Sequence, residues 1–151
     1  MNTKMNTKMN NKKQYWKAYV VEFTNKISGN QFLKFGACND RDVFDRFCHD
    51  WEQYQDYMIK PLASISPKYG NCNYKKMGLV EEYFLKKYPR NTEYLKNSFS
   101  GITETYKPSD EQERKKIIKE FYYLQKQVYA NIPVESLITD TNNKKEEEYP
   151  F

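Results

Sequence analysis

"FLKFGACNDRDVFDRF", residues 32–47, decides the fold. Its first half is aromatic and apolar and stops at Gly36; after a polar break, Val43, Phe44 and Phe47 recur at helical spacing and are joined by Trp51. A strand that ends at a glycine and re-forms as a helix is the expected reading. Asp40 or Asp42 can cap that helix, and both acids sit where the positive end of its dipole favours them. Working backwards, "YWKAYVVEF" at 15–23 is rich in aromatic and β-branched residues, and "TNKISGN" supplies Asn, Ser and Gly for a turn. The two stretches therefore predict an antiparallel hairpin, with a lysine, a glycine and an arginine gathered around one strand-to-helix corner.

Working forwards, "YMIKPLASIS" at 57–66 is short, apolar and broken by Pro61, which predicts a strand at or near a sheet edge. Met77, Val80, Phe84 and Tyr88 share one face of a helix expected over 75–88, and Pro89 stops it. "SGITETY" at 100–106 suggests a last short strand. "SDEQ", opening at Ser109, has capping-box form and starts the longest helix, to about Ala130, with Ile117, Phe121, Leu124 and Val128 as its buried stripe. The expected organisation is a basic tail at 1–14, a domain at 15–107, a helix at 108–131 packed on it, and a loose acidic end at 132–151.

The chain of 151 residues is long enough for one core. Its net charge of +5 is concentrated: residues 1–17 hold five lysines and no acid, so the rest is neutral overall. Within that rest, 60–107 carries nine Lys or Arg against four acids, while 38–57 carries six acids against Arg41 and Arg46. "MNTKMNTKMNNKK" repeats a four-residue unit with only methionine as an apolar residue, the composition of a disordered phosphate anchor or a plain leader. Three cysteines without a CxxC pair fit a reducing compartment and argue against structural zinc. No apolar run approaches a membrane span, and the N-terminus lacks the hydrophobic centre of a signal peptide, so an intracellular setting is expected.

The order hairpin, helix, strand, helix resembles the GIY-YIG nucleases. "KAYVV" with Tyr19 is similar to that family's first motif, "LKFGA" with Gly36 to its second, and "FDRF" with Arg46 to its helical arginine. "MGLVEEYFLKKYP" resembles its glutamate helix, and "FSGITET" looks like a segment of small phage-type members. Ala18 and Val20 match the first motif loosely, and Lys34 stands where the second tyrosine is usual, as in the "KIG" members of the restriction-enzyme branch. The resemblance spans roughly 15–107. It implies an α+β fold, a small antiparallel three-stranded sheet flanked by helices in ββαβα order, with a C-terminal helical extension. It also implies an endonuclease that hydrolyses DNA with Mg2+ or Mn2+, using Tyr19, Lys34 and Arg46 in catalysis and Glu81 on the metal.

The chemistry of such a site can be argued from the side chains. Tyr19 could orient or deprotonate a water, provided that a neighbouring cation such as Lys34 lowers its pKa. Arg46 offers a planar fork for two phosphate oxygens, and Gly36 lets backbone approach the substrate. Magnesium can manage with a single carboxylate because it keeps waters and takes phosphate oxygens. Glu81 lies on the Met77, Phe84, Tyr88 side of its helix and is the better ligand, whereas Glu82 sits four residues before Lys86 as a surface pair. Each residue also has a structural role open to it: Tyr19 as core, Arg46 paired with Asp42 or Asp50, Glu81 paired with a lysine. His49, the single histidine, is left outside the site. A module of the same fold that binds nucleic acid or a protein without chemistry is the alternative, and a protein-interaction domain using exposed aromatics is a third.

Overall fold

Strand β1 (Lys17–Asn25) and strand β2 (Gln31–Cys38) form the expected hairpin, in a computed structural model that describes residues 15–39, 42–49, 51–67, 74–92, 104–130 and 132–133. The leader at 1–14, the acidic end beyond 133, Asp40 and the first residues of the 100–106 stretch lie outside the described residues. The hairpin turn uses its polar residues as expected: Asn25 Oδ1 accepts from the backbone N–H of Ile27 and Ser28, and Gly29 takes the positive φ of 77° that its missing Cβ permits.

Register assigns the two faces. Tyr19 lies opposite Gly36, Val21 opposite Lys34 and Phe23 opposite Phe32, so these six share one face. Ala18, Val20, Leu33 and Phe35 share the other. Strand β3 (Tyr57–Ile65) pairs antiparallel with β1 and forms one edge, where Pro61 is tolerated; a bulge between Val20 and Val21 absorbs the extra residue, Leu62. The sheet has four strands where the resemblance implies three, in the order β3-β1-β2-β4: β4 (Thr105–Tyr106), inside the short strand expected at 100–106, pairs with Leu33 and Lys34 at the outer edge of β2. The architecture is α+β.

Helix α1 (Val43–Cys48) is short, and its N-cap is Asp42, whose Oδ1 accepts from the Asp45 N–H at 3.0 Å. A 3-10 turn (Trp51–Tyr54) follows. Val43 and Phe47 pack under the Tyr19 face with Phe23, Tyr54 and Tyr57. Phe44 and Trp51, expected on the same buried face, are exposed, at 48% and 61%. The helix ends too soon to hold Trp51 in phase, and a helix short of two turns cannot bury three consecutive faces.

Helix α2 (Tyr74–Lys87) and helix α3 (Glu111–Tyr129) cover the opposite face. Met77, Val80, Phe84 and Tyr88 are buried as their spacing predicts, and so are Ile117, Phe121, Leu124 and Val128. Phe35, Phe84 and Phe121 form a stack across strand and both helices, the last two only 4.0 Å apart between centroids. The cap of α3 falls on Asp110, one residue past Ser109: Asp110 has the extended backbone and accepts from the Glu113 N–H at 2.8 Å, while Glu113 reaches back to the Ser109 N–H.

Two ion pairs that the sequence does not announce fasten α3. Arg114 donates to both carboxylate oxygens of Glu22 on β1, at 2.6 and 3.2 Å. Glu120 is fully buried and accepts from Tyr83 at 3.0 Å, from Lys87 at 2.9 Å and from the Tyr88 hydroxyl. Glu120→Ala, which removes the acceptor shared by three α2-side donors, should lower stability by about 3–5 kcal/mol in urea unfolding. Glu120→Gln, which keeps a carbonyl acceptor, should cost less; an alanine variant as stable as the parent would contradict the role assigned to the network.

Candidate active site

Strand β4 covers β2 for only two residues, and beyond it the Gly36–Ala37 end of β2 opens onto a cleft of about 230 Å³. Tyr19, Lys34, Arg46 and Glu81 all line it, together with Glu104, Trp16 and Tyr74. The four residues singled out from sequence come from four elements: β1, β2, α1 and α2.

Lys34 is the pivot. Its side chain is 3% exposed, and its Nζ reaches Tyr19 Oη at 3.4 Å and Glu104 Oε2 at 3.2 Å. It faces the cleft because it shares the sheet face of Tyr19, and it remains tolerable there because Glu104, one residue before β4, supplies an acceptor. Burial pulls the Lys34 amine below its usual pKa, and the Glu104 contact offsets part of that.

Tyr19 departs from the sequence-based expectation. Its pKa is raised, chiefly by burial, with Arg46 only partly opposing, so at neutral pH it is a phenol and not a poised base. The ring belongs to the core, edge-on to Phe47 at 5.8 Å, and only the hydroxyl end serves the cleft. The core role and the cleft role are thus compatible in one residue. Lys34 donates to Tyr19 Oη, so the hydroxyl serves as an acceptor toward the lysine.

Gly36 lines the cleft and also has a packing reason. It lies opposite Tyr19 in the ladder, and a methyl group on it would overlap the Tyr19 hydroxyl. The glycine makes room for the tyrosine ring, which fixes where the hydroxyl emerges.

Arg46 is half-buried, packs over Phe47 at 5.8 Å and makes no ion pair among the described residues; Asp42, a candidate partner, caps the helix. Asp50, the other candidate partner, lies outside the described residues. Glu82 pairs with Lys86 at 3.0 Å on the surface, as its spacing implies, which leaves Glu81 turned to the cleft. Glu81 accepts from Tyr74 Oη at 3.4 Å and lies close enough to the Glu104 carboxyl to share a hydrogen bond. Burial first, and then the Glu104 charge, raise its pKa from the ordinary 4.5 to about 7.

Two carboxyl groups facing each other in a half-buried cleft suit a hard cation. No cluster of three or more His, Cys, Asp or Glu is found among the described residues, so Mg2+ here would rest on one or two carboxylates and fill its shell with water and phosphate oxygens, as it commonly does. The cleft thus sets two basic side chains, Lys34 and Arg46, against two carboxyl groups, Glu81 and Glu104. Glu104 is the residue that sequence reasoning missed. Its signal was present, since it lies inside "FSGITET" and is one of only four acids in the basic 60–107 segment. His49 caps α1 and does not line the cleft. No helix among the described residues is long and apolar enough to cross a membrane.

Comparisons with protein-family models, with curated proteins and with solved structures find no match to the chain.

A carboxyl whose pKa is raised by folding favours its neutral form in the fold, so its contribution is present below pH 4.5 and is lost as pH rises to about 7. Glu81→Gln, which cannot ionise, should unfold with the parent near pH 4.5 and at higher temperature than the parent above pH 7. A constant difference between the two across that window would contradict the strain assigned to Glu81. Gly36→Ala should cost about 1–3 kcal/mol by overpacking, read as a lowered thermal midpoint, and should displace the Tyr19 hydroxyl.

Proposed function

We propose that this chain is a divalent-metal-dependent endonuclease that hydrolyses DNA phosphodiester bonds at a GIY-YIG-type site. The single observation that carries the proposal is the convergence of Tyr19, Lys34, Arg46 and Glu81 on one solvent-accessible cleft from four elements. The order of strands and helices up to α2, ββαβα, supports the same reading.

Each side chain has a task in hydrolysis. Arg46 grips two non-bridging phosphate oxygens with its fork. Lys34, held charged against burial by Glu104, adds a second cation behind the phosphate and fixes the Tyr19 hydroxyl. The Tyr19 hydroxyl donates a hydrogen bond to the attacking water or to a phosphate oxygen and so orients the nucleophile in line. Glu81 with Glu104 would hold the metal ion, which when bound supplies Lewis-acid polarisation of the phosphate and an acidified water. Water attacks phosphorus and passes a proton to solvent or to a cleft carboxylate, one P–O ester bond breaks, and the leaving oxygen takes up a proton from solvent or from a cleft donor.

A binding module without chemistry is the second reading, and the raised pKa of Tyr19 favours it, because the tyrosine stays protonated near neutral pH and cannot serve as the base. Against it, two carboxylates line a cleft that a pure phosphate binder would keep basic.

The experiment is incubation with supercoiled plasmid and Mg2+. The parent should nick or linearise it; Arg46→Ala and Glu81→Ala should each lower the rate by about 10²–10³-fold, the cost of losing one preorganised charge-stabilising group. Tyr19→Phe should also lose activity, since the ring keeps its place and only the hydroxyl is gone. Salt-sensitive binding that ignores Mg2+ and yields no product would establish the binding module instead. No cleavage by the parent, or equal cleavage by all variants, rejects the nuclease.

A further inference from the structure

Two aromatic side chains stand beside the phosphate-binding groups and have no part in the hydrolysis. Trp16, just before β1, and Tyr74, the first residue of α2, line the same cleft as Lys34 and Arg46. Their rings meet edge to face, with centroids 4.9 Å apart, and Tyr74 is 51% exposed. Trp16 is anchored from behind, partly buried against the core, whereas Tyr74 leaves half of its ring open to water.

The position of Tyr74 is built at both ends of the ring. Its hydroxyl contacts Glu81 Oε1 at 3.4 Å. The ring lies over Gly78 one turn later, where an added Cβ would meet ring carbons at 3.0, 3.2 and 3.4 Å. Glycine inside a helix is disfavoured relative to alanine, so its presence under this ring marks a place kept clear for it. The result is an aromatic wall that is partly open to water and adjoins a site for phosphate.

We infer that Trp16 and Tyr74 form a stacking subsite for an unpaired nucleobase, which makes single-stranded or locally opened DNA the substrate of the cleft. The inference rests on the nucleic-acid reading above. A base in a closed duplex already spends its faces on its neighbours, whereas an unpaired one can lay a face on an exposed ring while its phosphate meets Arg46 and Lys34. Stacking of this kind is tolerant of sequence, because every base has a π-face. Supercoiled plasmid is compatible with it, since torsional strain opens base pairs.

The test uses the full chain carrying Trp51→Phe, which leaves Trp16 as its single tryptophan and alters a side chain that does not line the cleft. It is titrated at low salt, without divalent cation, with a ten-residue thymidylate, with an abasic oligomer of the same length and charge, and with a closed duplex hairpin. The thymidylate should quench Trp16 fluorescence and bind about tenfold more tightly than the abasic oligomer or the hairpin. Tyr74→Ala should erase most of that preference and Tyr74→Phe should keep it, because the ring and not the hydroxyl stacks; circular dichroism checks that both fold. Equal binding of thymidylate and abasic oligomer, including no binding of either, overturns the subsite, and so does a preference that survives Tyr74→Ala. A hairpin that binds as well as the thymidylate overturns the assignment of substrate class. The two proposals fail separately: a Tyr74-dependent base preference without cleavage keeps the subsite and ends the nuclease, whereas Arg46-dependent cleavage without base preference does the reverse.

Discussion

A lysine on the inward face of a sheet strand has to find partners, and the arrangement of the cleft follows from how Lys34 finds them. An ammonium removed from water at that depth is costly unless an acceptor or an anion compensates it. Tyr19 supplies the first from the neighbouring strand and Glu104 the second from beyond the sheet edge. That requirement ties β1, β2 and the approach to β4 together at one point, and it brings a second carboxylate within reach of Glu81. With a leucine in place of Lys34, Glu104 would lose the cation it meets over the cleft.

The sheet behind this point is stiff because its two faces are filled in different ways. One face is an aromatic cluster of Tyr19, Phe23, Phe32, Phe47, Tyr54 and Tyr57, arranged mostly edge to face. The other is covered by two helices whose rings lie nearly parallel to Phe35, and a buried carboxylate, Glu120, links those helices to each other. A short helix on one side and a long one on the other therefore present Arg46 and Glu81 from fixed supports, the condition for placing reactive groups within a fraction of an ångström.

The hairpin, the edge strand and the two long helices were legible in the sequence because each is set by local pattern: alternation and turn residues at 15–37, Pro61 in an apolar run, and helical spacing at 77–88 and 117–128. Glu81 could be told from Glu82 for the same reason, since Lys86 at i+4 claims Glu82. What was not legible depends on distance along the chain. Glu104 meets Lys34 across 70 residues and Glu22 meets Arg114 across 92, and no periodicity encodes either pair. Phe44 and Trp51 look like core until the helix proves to stop at Cys48, short of two turns. The ionisation of Tyr19 is a property of burial, which the identity of a neighbouring lysine does not reveal.

The far border of the sheet has its own consequence. β3 ends the sheet with Pro61, which has no amide hydrogen to offer, and with a register slip beside it. An incoming extended peptide would meet an interrupted row of donors and a locally twisted backbone, so this margin resists recruiting further strands. A chain with 23 Phe and Tyr side chains is thereby shielded, on that side, from the cross-strand polymerisation that such a composition invites.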